Sequence, residues 1–222
     1  MKRILIIGSL GQLGSEIALE CRRRYGSDNV VLTDIRDDVN RDLVEGGPFY
    51  LVDARDGDAV DEIVRRHKID TIYHLAALLS ARAERDPLGA WNLNINGLIA
   101  TLEVARQHGC AVFTPSSIGA FGPTTPKQFT PQDTIQRPTS IYGVSKVSGE
   151  LLCDVDTRGI RFPGVISNLT PPGGGTTDYA VEIYYEAVRA KHYTCFLRGD
   201  TYLDMIYMPD AVDAAIQIME AD

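Results

Sequence analysis

The 222-residue chain predicts an α/β fold, a doubly wound parallel sheet that runs into a small, incomplete C-terminal lobe. Two observations carry this expectation. Short unbroken apolar runs recur through the first 165 residues, several of them stopping at glycine or aspartate, as strands buried on both faces do. Segments with helical spacing of apolar residues lie between them, and that alternation builds parallel strands joined by right-handed crossovers.

The elements follow in order. Ile4-Leu5-Ile6-Ile7 is the first run and stops at Gly8; Ile17, Leu19 and Cys21 belong to the helix after it. Val30-Val31-Leu32 is the second, ended by Thr33-Asp34, and Phe49 to Val52 is the third, ended by Asp53. Asp58 to His67 reads as a helix with Val60, Ile63 and Val64 on one face, and Thr71 to Leu75 as the fourth strand. Asp86-Pro87 opens a long helical stretch to about His108, which Gly109 ends as a C-terminal cap. Ala111 to Thr114 is the fifth strand, Ser140 to Cys153 a helix, and Gly159 to Phe162 the sixth strand. Residues 1–165 thus form one nucleotide-binding unit. Residues 166–222 form a partial substrate lobe intertwined with it: a loop at Pro171-Pro172-Gly173-Gly174-Gly175, a helix from Asp178 to Ala190, a strand at Met205-Ile206-Tyr207 and a last helix from Pro209.

Composition excludes several classes. Apolar residues make up 44% and charged residues 23%, ordinary soluble usage, and the formal net charge of -8 argues against a nucleic-acid partner. The basic run Arg22-Arg23-Arg24 reads as a solvated helix end. Cys21, Cys110, Cys153 and Cys195 are scattered, with no histidine at ligand spacing, so neither a metal site nor a disulfide framework is expected. No apolar run spans a bilayer, and the chain opens directly on a strand, so a cytoplasmic enzyme is expected.

Gly8-Ser9-Leu10-Gly11-Gln12-Leu13-Gly14 follows strand one and opens a helix. Glycines there let a pyrophosphate approach backbone N–H groups at a helix N-terminus, the pattern of a Rossmann-type dinucleotide site. Asp34, twenty residues beyond Gly14, suits the ribose hydroxyls and repels an added phosphate, which favours NAD; Arg36 nearby could hold such a phosphate and weighs the other way. Asp53 either meets the adenine amino group or caps its strand.

Tyr142-Gly143-Val144-Ser145-Lys146 places a phenol and an ammonium on one helix face. The ammonium favours the phenolate, and a phenolate near neutrality can take a proton from a substrate hydroxyl as hydride leaves its carbon. Ser116-Ser117 follows strand five at the ligand-binding edge, where a hydroxyl can bond the same substrate oxygen.

These residues, with His74-Leu75-Ala76-Ala77, Asn94-Ile95-Asn96-Gly97 and Ser116 to Gly122, resemble the extended short-chain dehydrogenases and their nucleotide-sugar epimerase and dehydratase relatives. The resemblance implies that Leu75, Ala76 and Ala77 line the cofactor, that Asn94 helps hold the active site, and that Ser117, with Ser116 the alternative, is the catalytic serine. Pro163 belongs to the implied cofactor contacts. Sugar-nucleotide relatives carry an asparagine near Gly164 and an arginine where Leu203 stands; this chain has neither. Thr114 to Ser117, Gly122 to Lys127 and Pro171 to Tyr179 look instead like the L-threonine 3-dehydrogenases of the epimerase-like type. That likeness implies oxidation of the β-hydroxyl of L-threonine, with Tyr142 as base, Lys146 as its activator and Ser117 orienting the hydroxyl. Ser80, Thr176, Thr177 and Asp178 are then the candidates for the amino-acid head, although Asp178 could equally cap its helix. A homodimer through the helices at Ile95 to His108 and Ser140 to Cys153 is implied as well. A sugar-nucleotide enzyme and a non-catalytic NAD-binding scaffold are the competing readings. Members of the family continue past residue 222 and carry more residues after Asp154, so residues are expected to be missing at both places.

Overall fold

β1 (Ile4–Ile7) lies inside a six-stranded sheet, paired in parallel with β2 (Val30–Asp34) on one side and β4 (Thr71–His74) on the other. The coordinates are a computed structural model describing all residues except 39, 154, 155, 170–174, 176 and 222. With β3 (Phe49–Leu51), β5 (Ala111–Phe113) and β7 (Thr157–Arg158), the order is β3-β2-β1-β4-β5-β7, every pairing parallel. The chain starts at β1, fills one side with β2 and β3, then crosses to the other with β4. The direction reverses between β1 and β4, and ligands of such sheets bind at the carboxyl ends beside that switch.

Alternate residues of the central strands face opposite layers. Ile4 and Ile6 pack with Ile17, Ala18 and Cys21 of α1 (Gln12–Tyr25) and with Met208, Ala211, Ala215 and Ile216 of α9 (Met208–Glu220). Leu5 and Ile7 pack with Val60, Ile63 and Val64 of α3 (Gly57–His67) and with Val104 and Ala105 of α6 (Gly97–His108). Both faces are therefore dry, which is why the strand is apolar at every position. α2 (Arg41–Glu45) is one short turn before β3.

The long helix expected from Asp86 is two helices with a wider turn between them. Asp86 accepts from Gly89 N at 3.0 Å and starts α5 (Pro87–Trp91); a π-helical segment, Asn92–Asn96, leads into α6. Gly109 closes α6 in the left-handed conformation at φ 66°, as expected. α4 (Ser80–Arg85) is a short helix between β4 and α5. β3 ends at Leu51, two residues before Asp53, although Val52 N still donates to Asp34 O at 2.9 Å.

The sixth strand is broken in two. β7 completes the sheet, and β8 (Arg161–Phe162) pairs with β6 (Ser116–Ser117). The ladder bridges the break: Val112, Thr114 and Ser116 donate to the carbonyls of Asp156, Arg158 and Ile160 at 2.9–3.0 Å. Pro115 has no N–H to give, and a side chain at Gly159 would lie 2.6 Å from Thr114 O, so the glycine is what allows the strands to stay close. The extra residues expected after Asp154 concern positions outside the described residues.

β9 (Gly164–Ile166) and β10 (Met205–Tyr207) form a separate parallel pair, followed by α9. α8 (Tyr179–Arg189) lies between them in sequence. Of the basic triplet only Arg23 is the solvated helix-end residue expected. Arg22 is buried and donates to Leu43 O, while Arg24 bridges Glu20 of its own helix and Asp213 of α9. α9 and α2 cover this end of α1, and the guanidinium groups answer the carbonyls and carboxylates there.

Candidate active site

The glycine loop turns tightly between β1 and α1. Gly8 has φ 79°, and a side chain on it would lie 2.7 Å from Ala76 N; one on Gly14 would collide with the Gly8 carbonyl. Ser15 N makes the first helical bond, to Gly11 O at 3.0 Å, so the N–H groups of Gln12, Leu13 and Gly14 precede the helical ladder at the N-terminus. No acidic residue stands in that first turn. This cradle accepts an anion and nothing bulkier than hydrogen on the loop glycines, which fits the pyrophosphate of a dinucleotide.

Asp34 ends β2 beneath the loop, 7% exposed, and accepts from Leu10 N at 2.9 Å. Arg36 lies 3.7 Å from Asp34 and donates to Leu10 O at 3.4 Å. Asp53 binds the turn that follows its strand. It takes Arg55 N and Arg55 Nε, both at 2.9 Å, and the Arg55 guanidinium holds its carboxyl below the usual carboxylate range.

β4 runs out into Leu75, Ala76 and Ala77, which line a cavity of about 500 Å³ with Asn94, Ser116 and Lys146. Asn94 sits in the π-helical segment and clamps Leu78, accepting from its N at 2.8 Å and donating to its O at 3.1 Å. Its amide also reaches Ser145 Oγ of α7 (Ile141–Leu152) at 3.2 Å. It therefore ties the cofactor-side loop to the helix that carries Tyr142. Pro163 joins β8 to β9, where the chain leaves the sheet edge, and is not among the cavity's lining.

Ser140 caps α7 by accepting from Gly143 N at 3.0 Å, and the helix places Tyr142 and Lys146 one turn apart. The two serines divide. Ser117 stands beside Tyr142, the two side chains meeting over Gly119, and accepts from Gly119 N at 3.1 Å, whereas Ser116 donates to the Glu150 carboxylate. A hydroxyl beside the phenol is therefore that of Ser117.

The lysine stands near the phenol but is bonded to the strand end. Lys146 Nζ donates to Pro115 O at 2.7 Å and lies 5.4 Å from the Tyr142 ring centroid. Burial pushes the phenol above its ordinary range, and the Ser117 hydrogen bond offsets only part of that. Burial pushes Lys146 down to about 8, with Glu150 pulling the other way. His74, at the end of β4, shares the cavity; it is pushed down to about 3 by burial and by the Lys146 charge, and its Nδ1 meets Thr101 Oγ1 at 2.9 Å. His74, Ser145, Glu150 and Arg161 are site residues the sequence reading missed. His74 and Ser145 fall inside the quoted motifs without a role of their own, and Glu150 left a local signal in its helical spacing of four from Lys146.

The candidates for the amino-acid head come from two segments, one at α4 and one before α8. Ser80 opens α4, and Thr177 packs against Gly164, where a side chain would lie 2.7 Å from Thr177 Cγ2. Asp178 makes no cap bond to α8; it accepts from Gly175 N at 2.8 Å and closes the turn before the helix. Thr176 lies outside the described residues.

The profile of the NAD dependent epimerase/dehydratase family matches residues 4–222. The chain belongs to that family. It is an oxidoreductase fold built for a nicotinamide dinucleotide, and the glycine cradle and Asp34 fit that family cofactor. An uncharacterized epimerase/dehydratase of Staphylococcus saprophyticus is 56% identical to the chain, over all of it and 72% of the relative. The L-threonine dehydrogenase of Clostridium difficile superposes with a TM-score of 0.96 at 54% identity, over all of this chain and 72% of that one. The holo form of the GalE-like L-threonine dehydrogenase of Cupriavidus necator gives 0.93 at 49% identity, over 99% of this chain and 73% of that one. No described helix is long and apolar enough to cross a membrane.

Proposed function

We propose that this family member oxidises L-threonine at its β-hydroxyl to 2-amino-3-oxobutanoate, with NAD as the oxidant. The observation that carries the reading is the Ser117–Tyr142 pair beside Lys146 at the ligand edge of the sheet, in a chain so close in shape to L-threonine dehydrogenases. Tyr142 takes the hydroxyl proton, Ser117 holds the hydroxyl oxygen, and Lys146 favours the phenolate once it turns from Pro115 toward the phenol. The bound dinucleotide supplies the hydride acceptor for the same carbon. Gly11 to Gly14 would hold the pyrophosphate and Asp34 the ribose, where its buried carboxylate would disfavour a second phosphate. Ser80, Thr176, Thr177 and Asp178 are the proposed contacts of the amino-acid head.

Two features disfavour a sugar-nucleotide substrate. Leu203 offers no charge to a diphosphate, and Gly164, packed against Thr177, leaves no room for an asparagine. The presence of both Tyr142 and Lys146 disfavours a scaffold without catalysis.

A homodimer is part of the proposal. Val144 and Leu151 stand seven residues apart on α7 with their side chains exposed, and Ile99 of α6 and Trp91 of α5 add apolar surface. Sedimentation should give twice the chain mass, and Leu151→Asp should shift it to the monomer.

The reading is tested by following NADH with L-threonine, L-serine, L-allo-threonine and UDP-galactose. Turnover of L-threonine that Tyr142→Phe abolishes supports it. Conversion of the sugar nucleotide without threonine oxidation replaces it with the epimerase reading, and bound NAD without turnover favours the scaffold.

A further inference from the structure

Glu150 continues the Tyr142–Lys146 stripe by one more turn of α7, and its carboxylate is the most heavily bonded in the site. One oxygen accepts from Ser116 Oγ and from Arg161 Nε at 2.9 Å. The other accepts from Gln136 Nε2 at 2.9 Å and Arg161 Nη2 at 2.7 Å. Arg161 stands directly opposite Ser116 in the β6–β8 pairing. Its remaining nitrogen donates to Gln132 O at 3.0 Å, and its guanidinium lies 5.3 Å from the Phe121 ring centroid. A single carboxylate thus joins α7, β6, β8 and the segment between Phe121 and Gln136.

The geometry of β6 gives this junction its consequence. Ser116 reaches Glu150 while Ser117 reaches Tyr142, and just before them Pro115 O takes the Lys146 ammonium. Three successive residues are docked on three successive turns' worth of one helix stripe. We propose that Glu150 is a positioning residue: by holding Ser116 and Arg161 it fixes β6 against α7 and so sets the Ser117 hydroxyl on the Tyr142 phenol. The proposal rests on the reading above only in giving Ser117 and Tyr142 the chemistry. The desolvation of Glu150 is outweighed by its bonds to Arg161, Ser116 and Gln136, which hold the carboxyl below the usual range and keep it an acceptor.

The test uses the Tyr142 ionisation, read as the ultraviolet difference between each protein and its Tyr142→Phe counterpart. The Ser117 bond lowers that ionisation, so losing the bond raises it. Glu150→Gln should shift the Tyr142 titration upward, as Ser117→Ala does, and lower kcat on L-threonine by about tenfold while leaving KM for NAD unchanged. Adding Glu150→Gln to Ser117→Ala should then change neither quantity further. Ser116→Ala keeps the Glu150–Arg161 pair and should show a smaller shift in the same direction, which serves if Glu150→Gln does not fold. An unmoved Tyr142 titration in these variants, or losses that multiply in the double variant, would overturn the proposal. If the unaltered chain does not oxidise L-threonine, the substrate reading falls, while the titration still decides the role of Glu150.

Discussion

Lys146 donates to the Pro115 carbonyl at 2.7 Å, and its ammonium stands 5.4 Å from the centre of the Tyr142 ring. The residue that the Y-x-x-x-K spacing pairs with the phenol is thus engaged with the strand end. The phenol keeps Ser117 beside it, and burial pushes its ionisation upward. On the proposed mechanism the ammonium exchanges Pro115 for the phenol side, a rotation of one side chain within its own cavity.

Lys146→Met should lower kcat/KM on L-threonine by about a thousandfold, within the range for loss of positioned acid–base help. NAD should still bind through the glycine loop. A variant with unaltered turnover would remove Lys146 from the mechanism.

The same lysine gives a pH signature. Its pKa falls from 10.5 to about 8 on folding because burial disfavours the charge. Between those values the unfolded chain holds a proton the folded one lacks, so stability rises with pH across that window. Cys21, pushed up to about 12, and Cys110, pushed up to about 11, act in the opposite sense above pH 9. The comparison is therefore with Lys146→Met, which shares those thiols. The Tm of the parent should gain on that of the variant between pH 8 and pH 10; parallel curves would refute the burial of the charge.

Ser117→Ala should cost about a hundredfold in kcat, and Ser116→Ala no more than about tenfold, because only Ser117 bonds the phenol. Steady-state rates on L-threonine separate the two, and the reverse order would exchange their roles.

Asp34→Ser should weaken NAD about tenfold and strengthen NADP, as judged by titration calorimetry with each. The carboxylate also holds Leu10 N at 2.9 Å, so part of the loss reflects a looser glycine loop. Discrimination unchanged in the variant would mean that Asp34 serves the loop alone.

A methyl group at Gly14 would collide with the Gly8 carbonyl and lie 3.0 Å from Ser9 Cα. Gly14→Ala should abolish NAD binding and lower Tm by about 5 °C, the cost of overpacking a tight turn. Retained NAD affinity would show that the loop can open without loss.

Features that depend on neighbours along the chain were legible without the fold. Apolar runs such as Ile4 to Ile7 mark strands because both faces are dry, glycines at 8, 11 and 14 mark the turn into α1, and a spacing of four puts Tyr142 and Lys146 on one stripe. The tertiary structure decided what those side chains touch. Which of two adjacent serines faces the phenol depends on how β6 lies against α7, set by Glu150 and Arg161 from distant segments. Asp53 went to Arg55, Asp178 to the Gly175 amide rather than its own helix, and Arg22 under α2 rather than into solvent. In each case several acceptors or donors lay within reach of a flexible side chain. Packing of elements far apart in sequence chose among them, by what was buried and what remained to satisfy a polar group.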